Sequence, residues 1–462
     1  MKPAVIEQSV PYFEDVSRVF DSFEHMPWSV FLDSGRPQSE HGRYEIFSAL
    51  PKKMFITKGK KTVIHSGVYQ EIVFDDPFAL LIRELKDPVQ HQSSLPFTGG
   101  AIGYFSYDLG RRIERIPEIA IDDMDIPDMA IGIYHWAYVA DHLTRKSTLV
   151  GDLSEPRVKL NWEEFVLKAS QPKESQSQLS AVPCDYYAST KIQSNMSKSD
   201  YYERFNQVKK YIGNGDCYQV NLAQRFTLEV KGNPWAGYQK LRAINPSPFS
   251  AYMNLPDCSI LSASPERFIQ VDSQRAETKP IKGTRPRSND QKQDEYNLKQ
   301  LQESVKDKAE NVMIVDLLRN DLSKCCESNS VKVMKLFEIE SFPTVHHLVS
   351  TIQGVLSDHI SPVQLLRECF PGGSITGAPK IRAMEIIEEL EPHRRGLYCG
   401  SIGYLGFNGK MDTNIAIRTL VQKNNRAYFY AGGGLVWDSD VDEEYQETFD
   451  KAAAMFRLFD QE

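Results

Sequence analysis

Three stretches of the sequence carry groups able to do chemistry. One begins AGGGLVWDSD and runs into a helical pattern holding Glu443, Glu444, Glu447 and Lys451. Glu447 and Lys451 are one turn apart and share a face, with Glu444 beside them. Alone, that is a solvated ion pair in an acidic first turn. Preceded by Gly432, Gly433 and Gly434, whose bare backbone lets amides approach an anion, it describes the mouth of a site. A second stretch, DKAENVMIVDLLRNDL, sets Glu310 beside an apolar stripe of Val312, Met313, Leu317 and Leu318. If Glu310 meets Glu447 in space, two carboxylates can hold Mg²⁺, which uses few protein oxygens and completes its octahedron with water and a substrate anion. No spacing in the sequence shows that meeting.

The third stretch, KPIKGTRPR, puts Lys282 at a strand-to-turn junction. A turn lysine is ordinarily solvated; in an enclosed site its pKa falls and it becomes a nucleophile near neutral pH. His346 and His347 are neighbours on a strand pattern, so only one of them can face a given site.

The elements that must position these groups fall into blocks. Up to about residue 165 the chain reads as short strands (YEIFSAL, KKTVIHSGVYQEIVF, GIYHWAYVADH) with one helix near DPFALLIREL. Residues 171–198 are polar and aperiodic, which marks a linker between an N-terminal region, 1–170, and a second region, 199–460. Ser199 is placed to cap a helix in which Tyr201, Phe205, Val208 and Ile212 recur on one face. FSAYMNL, CSILSAS, RFIQV and RAETKPI read as an antiparallel meander, 290–325 as one or two helices, and 376–391 as another. SIGYLGF, an Asn408-Gly409 turn of the two-residue hairpin kind, MDTNIAIRTLV and RAYFYA then return to strands before a closing helix from about Asp442. GAIGY at 100–104 and GSIGY at 400–404 form a faint internal echo that allows duplicated sheets.

Composition narrows the class. The 462 residues are 41% hydrophobic and 25% charged, as in ordinary globular proteins, which excludes collagen-like, disordered and coiled-coil chains. A formal charge of −8 disfavours a nucleic-acid-binding surface. No apolar run suits a signal peptide or a membrane span, and seven scattered cysteines without C-x-x-C spacing suggest neither disulfides nor zinc, so a cytoplasmic protein with reduced thiols is expected.

Taken in order, SASPERF, KPIKGTRPR, AENVMIVDLLRNDL, FPTVHHLVSTIQG, FPGGSITGAPKIRAMEIIEELE, GLYCGSIGY, AIRTL, AGGGLVWDSD and EEYQETFDKA resemble the chorismate-utilising enzymes. That family contains anthranilate, aminodeoxychorismate, isochorismate and salicylate synthases. The likeness is strong over roughly 195–460 and weaker before it. It implies an α+β fold of two packed, mainly antiparallel sheets flanked by helices. It implies Mg²⁺ on Glu310 and Glu447, with Glu444 acting through water. Tyr398, Arg418 and the amides of Gly432 and Gly434 would grip the enolpyruvyl carboxylate of chorismate, and Thr284, His347, Ser374 and Lys451 would line the substrate.

Two positions select the branch. Anthranilate synthases carry PIAGT where this chain reads Pro280-Ile281-Lys282-Gly283-Thr284, and the lysine marks the aminodeoxychorismate branch. Water-using members have a base lysine where this chain has Gln219. The resemblance therefore implies attack by Lys282 on chorismate with Glu266 as general acid, then addition of ammonia delivered by a separate glutamine amidotransferase subunit. FLDSG around Ser34 and NPSPF around Pro248 and Phe249 resemble the place where anthranilate synthases bind feedback tryptophan. The rival readings are an anthranilate synthase large subunit and a non-catalytic tryptophan-binding scaffold.

Overall fold

The computed structural model describes residues 5–37, 42–86, 93–172, 186–342 and 345–460. Among the described residues two large sheets, of 13 and 12 strands, pack face to face with helices around them. Their ladders are antiparallel, so the expected α+β class of two packed sheets holds.

The sheets are not divided between the two halves of the chain. In the first, Ser29–Asp33 pairs with Phe249–Asn254, so strands from before residue 171 continue into strands from after it. In the second, Gly100–Phe105 pairs with Ser401–Gly406. The echoed segments are thus direct neighbours, with Gly103 opposite Gly403, rather than duplicates in separate sheets. Of the expected linker, 173–185 lie outside the described residues; beyond them Tyr187–Ala188 and Gln193–Ser194 are short strands on the edge of Gln219–Lys231.

Alternation along the strands explains the two cores. Val30 and Ile46 point into the cluster between the sheets, while their neighbours Phe31 and Phe47 point to the outer face. On that outer face Phe47 stacks on Tyr138 at 4.6 Å and Trp136 on Phe165 at 4.2 Å, locking the helix Pro156–Ser170 against the sheet. Truncating one such buried ring to alanine costs about 3–5 kcal/mol.

Several boundaries differ from the sequence reading. The helix Lys198–Gly213 is capped by Ser197, not Ser199, because Ser197 and Asp200 form a reciprocal capping box. Residues 290–325 form two helices, Gln291–Glu303 and Val305–Ser323, parted at Ser304, which caps the second. Asn408 and Gly409 do not close a two-residue hairpin; the turn spans Phe407 to Lys410, with the Gly406 amide donating to the Lys410 carbonyl. MDTNIAIRTLV is not one strand. Met411–Asn414 belongs to the second sheet and Thr419–Lys423 to the first.

Candidate active site

That break in MDTNIAIRTLV builds the site. Chain leaves the first sheet after Ser259–Ser264, passes through Glu266 and enters the second sheet at Arg267–Asp272. The later crossing runs the other way through Ile415 to Arg418. The two crossings are tied together: the Ile415 amide donates to the Glu266 carbonyl at 3.0 Å, and the Ala263 amide to the Arg418 carbonyl at 3.0 Å. Arg418 sits in the left-handed region, φ 50°, which turns the chain between sheets.

Glu266 is buried, and the Ser374 hydroxyl donates to its Oε1 at 2.9 Å. Burial pushes its carboxyl up to about 7, against the opposing pull of Ser374 and Lys282. Lys282 Nζ donates to the Ser374 carbonyl at 3.2 Å. The short helical turn Gly373–Ile375 thus holds both groups. Lys282 lies within the strand Ile281–Pro286 at an irregularity around Gly283, rather than in a turn. Burial lowers its pKa, Lys451 adds to that, and Glu310 and Glu266 work against it. The two shifts run toward each other, an acid made weaker and an amine made easier to deprotonate.

His347 and His346 face opposite ways, as their strand requires. His347 Nδ1 lies 2.8 Å from the Thr284 hydroxyl, and burial, with Arg418 next, pushes its pKa down to about 3, so the ring stays neutral. His346 turns to Ser341 at 2.7 Å and Asp294 at 3.2 Å. The Arg418 guanidinium has no hydrogen-bonding or ion-pair partner among the described residues, and Glu266 is the anion that it senses. Tyr398 is buried and stacks on Tyr430 at 5.2 Å with rings 9° apart.

The glycine run lies in the strand Arg426–Leu435. Gln219–Lys231 pairs along one edge of it, with Asn221 opposite Gly434 and Ala223 opposite Gly432. On the other edge the ladder to Thr419–Lys423 ends at Phe429 among the described residues, leaving the glycines beyond it. Besides baring amides, the glycines make room. A Cβ on Gly433 would stand 2.8 Å from Glu444 Oε2 and 3.4 Å from Glu447 Oε2, and a Cβ on Gly434 would strike the Gln219 amide nitrogen. Gln219 is buried and its Oε1 has no partner among the described residues.

Glu444 is buried under the Ser439 hydroxyl, at 2.7 Å, and burial with Glu447 nearby pushes it up to about 7. Lys451 reaches Glu447 at 2.7 Å and the Gly432 carbonyl at 3.0 Å. At Glu447 the raising effect of burial is outweighed by Lys451, and its carboxyl stays low. Glu310 is raised by burial and senses Lys282, Lys306 and Glu447. Glu310 and Glu444 each sense Glu447, so the three carboxylates are neighbours, yet no group of three potential metal ligands converges into a ready cage among the described residues.

A model of the chorismate binding enzyme family matches residues 30–457. The chain belongs to that family. It is 45% identical to aminodeoxychorismate synthase component 1 of Klebsiella aerogenes, over 98% of each chain. It is 46% identical to aminodeoxychorismate synthase component 1 of Escherichia coli (strain K12), over 98% of this chain and 97% of that one. The solved structure of anthranilate synthase component I from Streptococcus pneumoniae TIGR4 superposes with a TM-score of 0.79 at 34% identity, covering 90% of this chain and 92% of that one.

In this chorismate binding enzyme Pro248 and Phe249 line a separate cavity of about 580 Å³, with Arg267 and Asp412. None of the candidate catalytic residues lines it. Ser34 is not among the lining residues, although its neighbour Asp33 is; the Ser34 hydroxyl donates to Glu45 at 3.0 Å. No helix among the described residues is long and apolar enough to cross a membrane. One residue beside the cleft escaped the sequence reading altogether. Arg395 is a buried guanidinium whose only sequence signal is Glu391 one turn before it, a spacing shared by many solvated pairs.

Proposed function

We propose that this cleft converts chorismate and ammonia to 4-amino-4-deoxychorismate, as an aminodeoxychorismate synthase component 1 on the route to 4-aminobenzoate and folate. The observation that carries it is Lys282, an amine with lowered pKa, tethered with Glu266 to the single residue Ser374. The Klebsiella aerogenes and Escherichia coli relatives named above support the same reading.

Arg418, with its free fork, binds a carboxylate of chorismate, and neutral His347, which senses Arg418, lines the substrate with its partner Thr284. The Lys282 amine attacks C2 of the ring as the C4 hydroxyl leaves, and protonated Glu266 gives that hydroxyl its proton, so that water departs. The new secondary ammonium returns a proton to Glu266. Ammonia then adds at C4, the bond from C2 to Lys282 breaks, and Glu266 again supplies and recovers the proton. Gln219 stands where a water-activating lysine would be needed and cannot act as a base.

The carboxylates gathered over Gly433, where a side chain would otherwise sit, offer hard oxygen donors of the kind Mg²⁺ takes. Glu310 and Glu447 would hold it, with Glu444 acting through water. Bound there, Mg²⁺ would supply positive charge to the ring carboxylate. We assign the ammonia supply to a glutamine amidotransferase partner, the second component that the relatives' names imply.

The test is incubation of the purified chain with chorismate, Mg²⁺ and ammonium, followed by identification of the product by mass. 4-Amino-4-deoxychorismate is expected; anthranilate with released pyruvate would transfer the chain to the other branch.

A further inference from the structure

Arg395 is 2% exposed, and each of its three guanidinium nitrogens donates a hydrogen bond. Its Nε and Nη2 pair with the two oxygens of Glu391 at 2.9 and 2.6 Å. Nη2 also donates to the Asn221 carbonyl at 2.8 Å, and Nη1 to the Ile375 carbonyl at 3.1 Å. The guanidinium lies against the rings of Tyr107 and Tyr398, at 4.9 and 5.5 Å from their centroids. Glu391 in turn accepts the Ala223 amide at 3.0 Å.

These contacts converge on the cleft from three sides. Ile375 follows Ser374, the residue that holds both Glu266 and Lys282. Asn221 and Ala223 belong to the strand that starts at Gln219 and carries the glycine strand. Tyr398 is the buried ring stacked on Tyr430. Only a rigid planar fork can hold two carbonyls of different elements and a carboxylate at once.

We propose that Arg395, oriented by Glu391, is the positioning residue of this active site, pinning the Ser374 turn to the Gln219 strand so that Ser374 keeps Glu266 and Lys282 in reacting register. The inference rests on the chemistry proposed above for those two groups.

The test compares two variants. Arg395→Lys keeps the charge and its pairing with Glu391 but cannot fork to two carbonyls. The neutral double variant combines Glu391→Gln with Arg395→Met, and its introduced side-chain amide oxygen can still accept the Ala223 amide. Folding is checked by circular dichroism and thermal unfolding, and kcat, KM and the pH profile are measured with chorismate, Mg²⁺ and ammonium. Both folded variants should lose about tenfold to a hundredfold in kcat, with a smaller change in KM. The alkaline limb of the profile should move to higher pH, because Glu266 loses the Ser374 hydroxyl that favours its charged form; Ser374→Ala should move it the same way. Lys282, Lys451, Arg418 and Cys399 also face Glu266, and none of them is substituted in any variant.

A folded Arg395→Lys enzyme with wild-type kcat and profile overturns the positioning role. So does a loss of kcat with the limb unmoved, or failure of both variants to fold, which assigns the pair to stability alone. Glu266→Gln separates this from the underlying chemistry: turnover kept in that variant overturns the proposed reaction itself, and with it the role that depends on it.

Discussion

Glu266 and Arg418 occupy the two points where neighbouring chain segments cross between the sheets, and the amide of Ile415 joins the crossings by donating to the Glu266 carbonyl. An acid and a cation thereby face one cleft without pairing, which leaves the guanidinium available to a substrate carboxylate.

Removing the Arg418 fork should therefore weaken substrate binding first. Arg418→Lys is expected to raise KM for chorismate about tenfold to a hundredfold, since an ammonium cannot make the two parallel hydrogen bonds. Steady-state kinetics decide this, and an unchanged KM would assign Arg418 elsewhere.

As the proposed general acid Glu266 would act in its protonated form, and burial pushes its carboxyl up to about 7. Below that value the carboxyl carries its proton; above it the acid form disappears. At constant free ammonia, kcat/KM should fall as pH rises through about 7, and Glu266→Gln should lose both that limb and most turnover. A flat profile to about pH 9 would exclude Glu266 as the acid.

Lys282→Ala should lose nearly all formation of 4-amino-4-deoxychorismate. It also recreates the PIAGT sequence, so some switch to anthranilate is expected as ammonia reaches C2 unobstructed. Incubation of the wild-type chain with chorismate and no ammonia should add chorismate minus water to the peptide bearing Lys282. Wild-type turnover in the alanine variant would leave Lys282 a binding residue.

Chelation should abolish turnover, and Glu310→Gln and Glu447→Gln should each lose about a hundredfold or more, only partly restored by excess Mg²⁺. Full activity in chelator would remove the metal from the reaction.

Glutamine alone should give no product with the purified chain, whereas ammonium should. Mass spectrometry of the two reactions settles it; product from glutamine would mean that the chain carries its own glutaminase.

Much of the site was legible one residue at a time. Glu447 and Lys451 had to share a helical face because they lie four apart, and they do pair. His346 and His347 had to diverge because a strand alternates. The motif order sufficed to recognise the family and its α+β fold. Cap and turn positions slipped because nearby serines compete for the same role: Ser197 won over Ser199 through its partner Asp200.

Local pattern left the meetings undetermined. MDTNIAIRTLV has unbroken strand propensity, yet its middle crosses between sheets, since both sheets must be closed by neighbours drawn from far along the chain. The family resemblance marked Ser374 as lining the substrate, but nothing in its glycine-rich turn showed that Glu266 and Lys282, 108 and 92 residues away, both reach it. Arg395 looks like half of a surface ion pair until it is found buried. The sequence by itself determined which chemical groups the chain has and which local elements carry them, because backbone periodicity and side-chain type are local properties. The tertiary structure alone decided which of those groups share a cleft, which are stripped of water, and hence which have shifted pKa values, because desolvation and charge proximity depend on distances that no spacing along the chain encodes.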